Sequence, residues 1–202
     1  MNATVKFKER KVLVLGLGES GLAMAKWLAG HGAHLRIADS RTAPPGLAEL
    51  RSALSTLATC SSRANAELHL ELHLGGWRDA SFEGVDLIAI SPGLPREMPQ
   101  VQNALARGVP VIGDVELFAQ SLPPAALAEK GGRPRILAIT GTNGKTTVTS
   151  LTGALCRAAG LDVEVAGNIS PAVLDALAAR EARVAQGGKS ADAWVLELSS
   201  FQ

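Results

Sequence analysis

The chain has 202 residues, of which 47% are hydrophobic, and its 20 basic residues nearly balance 19 acidic ones. This composition excludes a disordered tail and supplies enough apolar material for one large or two small domains. A net charge of +1 without a long basic run argues against nucleic acid as a partner, and no stretch has the length or composition of a signal peptide or membrane span, which predicts a cytoplasmic protein without a membrane partner.

The first half of the chain alternates predicted strands and helices. The apolar run at 11–17 predicts a strand buried on both faces of a parallel sheet. The next elements are a helix from about 20 that ends at Gly30 or Gly32, a strand that ends at Asp39, and a proline-started helix at 44–58. Further strands are predicted at 66–76, 85–91 and 109–113, with helices at 98–108 and 114–122.

The strand at 66–76 alternates apolar and polar residues, which places His69 and His73 on one polar face. Four strand residues span about 13 Å, which is too far for the two imidazoles to share one metal ion. We therefore interpret both histidines as part of a solvated face.

A change of composition at 123–134, with paired prolines and paired glycines, predicts a linker. Beyond it we predict a strand at 135–140, a helix that Gly160 closes, a strand at 162–167, a helix that Ser170 caps, and a strand at 193–200. The predicted fold class is α/β: a Rossmann-like doubly wound parallel sheet domain at 1–122, followed by part of a second α/β domain at 135–202. Because the second domain stops directly after its third strand, we expect the natural protein to continue and the last strand to form an exposed edge.

The first glycine-rich turn, "GLGESG" at 16–21, follows a strand and opens a helix. Gly16, Gly18 and Gly21 have the G-x-G-x-x-G spacing of a dinucleotide fingerprint, and Asp39 closes the next strand where an acid can bind a ribose hydroxyl. These residues predict a nucleotide diphosphate site; the alternative is that the glycines only let strand and helix pack closely. The motif alone does not decide between a nicotinamide cofactor and another diphosphate, such as a nucleotide sugar.

The second loop, "TGTNGKTT" at 140–147, is similar to a Walker A sequence, although Ile139 stands where the strict pattern has its first glycine. A strand leads in, Gly141 and Gly144 permit inward-pointing N–H groups, and a helix begins at Lys145. We predict that Lys145 neutralises ATP phosphates while a following threonine hydroxyl reaches Mg²⁺. The alternative, residues that merely begin a helix, explains neither glycine.

A carboxylate, Glu197, ends the last predicted strand at the carboxyl edge of the sheet, where ligands of such folds bind. It can serve a Mg²⁺ ion that bridges ATP phosphates, or it can be structural. The residue alone leaves both interpretations open.

Taken together, these stretches resemble the Mur ligases, cytoplasmic ATP-dependent enzymes that build the peptide stem of bacterial peptidoglycan. "TGTNGKTT" is similar to the ATP loop that several members share. "GLGESG", "ISPGLP" at 90–95 and above all "LELSSFQ" at 196–202 are similar to the members that add D-glutamate. The resemblance covers the whole chain apart from a longer stretch around 52–75. It implies that residues 135–202 are part of a P-loop-type α/β ATPase domain.

The resemblance implies a role for each matching residue. The pocket for the uridine diphosphate substrate would be formed by Glu19, Ser20, Asp39, Ser40, Arg41, Ser91 and Gly93. ATP would be bound by Gly141, Thr142, Asn143, Gly144, Lys145, Thr146 and Thr147. The resemblance further implies catalytic roles for Lys145 and Glu197, Mg²⁺ binding by Thr146 and Glu197, and substrate contacts by Asn168 and Ser199. Glu19 is a departure, because a negative side chain beside a diphosphate is unfavourable unless it points away.

The implied reaction is ATP-dependent addition of D-glutamate to UDP-N-acetylmuramoyl-L-alanine through an acyl phosphate, by an enzyme that is monomeric at full length. The family's remaining catalytic residues and its C-terminal domain would lie beyond Gln202, so we expect this chain to bind substrates without turnover. Two other interpretations stay open: an NAD-dependent dehydrogenase that uses the first loop, and a non-catalytic nucleotide-binding module.

Overall fold

The computed structural model describes residues 6–60, 69–122 and 134–199. Contacts divide the chain into two compact units, Met1–Glu116 and Leu117–Gln202. Nearly all of the predicted linker at 123–134 lies outside the described residues, and the predicted domain bounds remain a prediction. Among the described helices, none has the length and apolarity that crossing a membrane requires.

The first unit is built on a five-stranded parallel sheet in the order β3-β2-β1-β4-β5. Its strands are β1 (Lys11–Leu15), β2 (His34–Asp39), β3 (Leu70–Leu74), β4 (Leu87–Ile90) and β5 (Val111–Ile112). Its helices are α1 (Glu19–Gly30), α2 (Leu47–Cys60), α3 (Pro99–Ala106) and a 3₁₀ turn at Asp79–Phe82, and α4 (Asp114–Ser121) contains the division between the units. This confirms the predicted α/β class with a Rossmann-like sheet.

The central strand β1 is apolar because both of its faces are covered. Its residues 12–15 have no exposed surface, and helix α1 buries eight residues. The strand order reverses between β1 and β4, so the loops after these two strands diverge at the carboxyl edge and leave a crevice. The first glycine-rich turn lies at this switch point.

The second unit contains a three-stranded parallel sheet in the order β6-β8-β7. Its elements are β6 (Arg135–Ile139), α5 (Lys145–Ala158), β7 (Val163–Gly167), α6 (Val173–Ala185) and β8 (Ala193–Glu197). The expectation that the last strand is an exposed edge is wrong, since β8 lies between the other two described strands. The crossover through α5 places β7 two positions away from β6 in the sheet. The crossover through α6 then brings β8 into the position between them.

The helix ends in this unit agree with the sequence only in part. Gly160 has φ 83° and follows the end of α5, as predicted. The prediction that Ser170 caps α6 is wrong, because the helix begins at Val173 and Ala172 is its N-cap. The chain at 167–171 instead forms a turn, in which the N–H of Gly167 donates to the carbonyl of Pro171 at 3.1 Å.

The two histidines of β3's polar face have different environments. His69 is exposed and its ring stacks on His34 with centroids 4.7 Å apart. His73 is half-buried and its Nδ1 lies 2.7 Å from Oγ of Ser81, so the solvated interpretation is wrong for this residue. Within the described ranges, no three His, Cys, Asp or Glu side chains cluster as metal ligands.

Candidate functional site

The first glycine-rich turn is fixed by a close approach between strand and helix. A Cβ atom on Gly21 would lie 1.8 Å from the carbonyl oxygen of Gly16, so only glycine lets α1 pack against the turn. Gly16 itself has φ 81°, a conformation that favours glycine. Gly18 caps α1 without a side-chain hydrogen bond, and a Cβ on it would meet nothing within 4 Å. The open N-terminus of α1 can therefore accept an anion on its first-turn N–H groups.

Asp39 anchors this turn from the end of β2. Its Oδ2 accepts hydrogen bonds from the N–H of Leu17 at 2.7 Å and from Nη2 of Arg41 at 2.7 Å. Its Oδ1 accepts from the N–H and the Nε of Arg41 at 2.9 and 2.8 Å. A carboxylate offers about four lone-pair sites, and all four are used here. Asp39 therefore holds the turn and Arg41 in place, and it has no acceptor left for a ribose hydroxyl.

The electrostatics of Asp39 agree with this role. The carboxylate is only 2% exposed, and burial by itself would raise its pKa. Hydrogen bonds from the guanidinium of Arg41 and from the N–H groups of Leu17 and Arg41 outweigh burial and lower the pKa of Asp39 to about 2. Asp39 is thus ionised throughout the physiological pH range, and half of the Arg41 side chain remains exposed to meet a ligand.

Ser91 connects the end of β4 to the same turn. Its Oγ donates to the carbonyl of Gly16 at 3.0 Å, and its N–H donates to the carbonyl of Leu15 at 3.0 Å. Of the other predicted pocket residues, Ser20 is half-buried, and three are exposed: Glu19, Ser40 and Gly93. The structure therefore brings Ser91, Asp39 and Arg41 to the glycine turn by direct or shared contacts, while roles in ligand binding for the whole set remain predictions.

The second glycine-rich loop lies between β6 and α5. Gly144 has φ 73° and caps α5, and Gly141 has φ 149°. The Nζ of Lys145 donates to the carbonyl of Gly141 at 2.9 Å, so the lysine folds back over the loop. Thr142 and Asn143 are exposed, as are Thr146 and Thr147 in the first turn of the helix. The exposed first turn of α5 leaves N–H donors for a phosphate beside an ammonium group.

Glu197 occupies the centre of the carboxyl edge of this sheet. It is in register with Ile139 on one side and Gly167 on the other. Asn168 donates to it twice, from its N–H to the Glu197 carbonyl at 2.8 Å and from Nδ2 to Oε1 at 3.2 Å. Glu197 is 2% exposed, and among the described residues its buried Oε2 has no hydrogen-bond partner. Ser199 is half-buried just beyond the strand.

An oxygen of a buried carboxylate without a protein donor fits the chemistry of a hard cation site. Mg²⁺ is usually bound through one or two protein oxygens together with substrate phosphates. Oε2 of Glu197 and the hydroxyl of Thr146 are oxygen donors at the same edge of the sheet. The residues present therefore fit a Mg²⁺ ion, with Glu197 and Thr146 as the groups that would hold it.

Two features of these sites escaped the sequence reasoning. One is that Asp39 is saturated by Leu17 and Arg41, which depends on side-chain geometry that no motif encodes. The other is Thr149, whose fully buried Oγ1 also has no partner among the described residues. The one sequence signal for it is its position four residues after Lys145, which places the two residues on the same side of α5.

Comparison with known proteins reveals two family matches. The profile for the Mur ligase MurD-like N-terminal domain matches residues 10–113, which include the first glycine turn. The chain belongs to the Mur ligase family. The profile for the Mur ligase middle domain matches residues 139–202, which include the second loop and Glu197.

The similar Mur ligases include two proteins named UDP-N-acetylmuramoylalanine--D-glutamate ligase. The one from Nitrosospira multiformis is 53% identical over 96% of this chain, and the one from Paraburkholderia phymatum is 50% identical over 98%. The chain spans 36% and 37% of the length of these relatives. A solved murein peptide ligase from Psychrobacter arcticus is 16% identical, covers 96% of this chain and 39% of its own length, and has a TM-score of 0.49, which is too low to bear on function.

Proposed function

We propose that this chain supplies the uridine-substrate unit and the ATP unit of an ADP-forming ligase that adds D-glutamate to UDP-N-acetylmuramoyl-L-alanine in peptidoglycan biosynthesis. The observation that carries the proposal is the buried Oε2 of Glu197, unbonded within the described part of the chain, at the same sheet edge as the Lys145 loop. The substrate is inferred from the names of relatives that are 53% and 50% identical over 96% and 98% of this chain.

The two glycine loops then have separate tasks. The open N-terminus of α1, with Ser20, Ser40, Arg41, Ser91 and Gly93 around it, binds the substrate's uridine diphosphate. The loop at 141–147 binds the triphosphate of ATP through first-turn N–H groups and the Lys145 ammonium. Glu19 is exposed at the start of α1, so its side chain can point to solvent while its backbone N–H serves the anion.

In the proposed reaction the γ-phosphoryl group passes from ATP to the carboxylate of the L-alanyl group, which gives an acyl phosphate and ADP. The amine of D-glutamate then attacks the carbonyl carbon, phosphate leaves, and the amine loses a proton to yield the amide. Lys145 neutralises charge on the transferring phosphoryl group, and Asn168 and Ser199 contact the substrate beside Glu197. A Mg²⁺ ion bound by Glu197 and Thr146 would supply further charge neutralisation.

The NAD-dependent alternative requires a carboxylate that binds a ribose hydroxyl. Asp39 is the residue in that position, and its four acceptor sites are occupied by Leu17 and Arg41. No observation on the first loop favours a nicotinamide cofactor over a nucleotide sugar.

Calorimetry of the purified chain tests the proposal. We expect saturable binding of UDP-N-acetylmuramoyl-L-alanine and no heat of binding with NAD. Ser20→Trp should lower the affinity for the uridine substrate at least tenfold, because the indole fills the space at the N-terminus of α1. Ser55→Trp, on the exposed side of α2, should leave that affinity unchanged. Binding of NAD alone would refute the assignment and make the first loop a dehydrogenase site.

A further inference from the structure

Two buried polar atoms without hydrogen-bond partners stand out in the part of the chain that the structure describes: Oε2 of Glu197 and Oγ1 of Thr149. Thr149 has no exposed surface and Glu197 has 2%. Buried polar groups are nearly always hydrogen-bonded, because leaving one unpaired costs about 1–3 kcal/mol. Two such groups in one small unit therefore call for a common explanation.

Both side chains lie on the same side of the sheet. Val195 packs in a cluster with Val163, Val165 and Cys156, and Cys156 belongs to α5, so this is the face of the sheet that α5 covers. Because side chains alternate along a strand, Glu197, two residues beyond Val195, faces α5 as well. Thr149 is buried on α5 itself.

The register also places the two side chains at the same level along the direction of the strands. A Cβ on Gly153 would come within 2.5 Å of Cγ2 of Val165, which sets Gly153 beside that residue. Thr149 is four residues earlier, about 6 Å toward the N-terminus of α5. Since α5 runs antiparallel to the strands, this displacement matches the rise of about 6.6 Å from Val165 to Gly167, the register partner of Glu197.

We propose that one buried water joins the hydroxyl of Thr149 to Oε2 of Glu197 by hydrogen bonds. This link fixes the orientation of the carboxylate from the α5 side of the sheet. Buried waters typically join polar groups that lack protein partners. Asn168 already holds Oε1 at 3.2 Å, so the two residues together orient both oxygens. A carboxylate oxygen has two lone pairs, so Oε2 can accept from the water and still bind a cation. Thr149 is thus a positioning residue, and the part of this inference that concerns Mg²⁺ rests on the proposed function, whereas the link to Glu197 does not.

The link is tested by a double-mutant cycle, read from hydrogen exchange of backbone amides at 193–197, which reports the second unit alone. Thr149→Val keeps the shape of the side chain and removes the hydroxyl. We expect it to accelerate exchange about fivefold, the factor for one lost hydrogen bond. In a Glu197→Met background the same substitution should change exchange less than twofold. Equal effects in both backgrounds, or slower exchange in Thr149→Val alone, would overturn the link.

The positioning role is tested by calorimetry of ATP binding in Mg²⁺ and in EDTA. We expect Thr149→Val to reduce the enhancement of affinity by Mg²⁺ at least fivefold, with the affinity in EDTA unchanged, and Thr149→Ser to restore it. The control is Thr152→Val, the same change at a half-buried position of α5. An unchanged enhancement in Thr149→Val refutes the positioning role while the link and the ligase proposal stand. If the unmodified chain does not bind ATP, the ligase proposal and this role fail together, and the exchange cycle still decides the link.

Discussion

At the scale of single residues, the most constrained group in the first site is Asp39. Its four hydrogen bonds join the end of β2 to the glycine turn after β1 and set the position of Arg41. Loss of this carboxylate should therefore loosen the glycine turn and release the side chain of Arg41.

The pH dependence of stability follows from the same residue. The pKa of Asp39 is lowered from 3.8 to about 2, so the unfolded chain binds the proton first as the pH falls. The stability that this ionised group contributes, about 2 kcal/mol, is complete above pH 4 and is lost between pH 4 and pH 2. Asp39→Asn should lower the free energy of unfolding at pH 7 by about that amount and flatten its pH dependence in that interval.

Urea unfolding at pH 7, 4 and 3 measures this difference. The matched control is Asp79→Asn, which changes an exposed carboxylate in the same unit and should leave stability within about 0.5 kcal/mol at pH 7. A variant at position 39 that is as stable as the control at pH 7 would contradict the anchoring role.

The motifs of the site could be predicted from the sequence, but their internal contacts could not. Gly16, Gly21 and Lys145 are recognisable because backbone approach and phosphate charge demand those residue types at fixed spacing. Asp39 uses most of its acceptor sites on Arg41, and this depends on the conformation of a flexible arginine side chain. That Thr149 is buried depends on the packing of α5 against the sheet, which no local pattern records.

At the scale of elements, the contact between α1 and the glycine turn leaves no room for a side chain at Gly21. A methyl group on Gly21 would clash with the carbonyl of Gly16, whereas one on Gly18 would meet nothing within 4 Å. Gly21→Ala should destabilise the protein by about 1–3 kcal/mol, since backbone must move to relieve the overlap. Gly18→Ala should cost less than about 1 kcal/mol. Chemical denaturation of both variants measures the contrast, and equal stabilities would show that α1 moves away at no cost.

A second element-scale contact fastens α6 to β7. Arg180 is 9% exposed, and its guanidinium donates to both carboxylate oxygens of Asp162 at 2.6 and 2.7 Å and to Glu164 at 2.7 Å. It also donates to the carbonyl of Lys189 at 3.0 Å, in the loop that leads to β8. Arg183 pairs with Glu164 from the same helix but is 54% exposed.

Removal of these two arginines should have unequal effects. Arg180→Met removes the bidentate partner of Asp162 and leaves Glu164 paired with Arg183 alone. We expect it to lower the free energy of unfolding by about 2–3 kcal/mol, and not by more because half of Asp162 is exposed. Arg183→Met removes a pair at the surface and should cost at most about 1 kcal/mol. Hydrogen exchange in peptides from α6 and β7 measures both, and similar losses would mean that burial of Arg180 adds nothing.

Element order was largely predictable and strand order was not. Apolar runs in alternation with amphipathic segments identify the strands and helices, because each must bury one face or both. The position of β8 between β6 and β7 is set by how far each crossover carries the chain, and a sequence does not state that distance. The misplaced cap at Ser170 has a similar cause, since the turn at 167–171 is fixed by a backbone hydrogen bond to Pro171.

At the scale of the whole molecule, each compact unit carries one glycine loop of its own. We therefore expect two ligands to protect two separate sets of amides from hydrogen exchange. UDP-N-acetylmuramoyl-L-alanine should slow exchange at 16–22 and 39–42, and ATP with Mg²⁺ should slow exchange at 141–149 and 195–198, each by at least threefold. Exchange measured by mass spectrometry with each ligand alone tests this, and protection of the same loop by both ligands would contradict the division of tasks.

The central position of β8 also dictates an order of events during folding. Arg135 at the start of β6 and Val163 at the start of β7 both pair with Ala193, and β6 and β7 share no hydrogen bonds in this sheet. Among the strands that the structure describes, neither has a neighbour until the chain has been made as far as β8. The glycine loop between β6 and α5 therefore becomes part of a sheet only late in synthesis. Pairings between residues so distant in sequence form slowly. Until they do, the nascent second unit exposes two unpaired apolar strands, which makes this interval its period of greatest risk of misassociation.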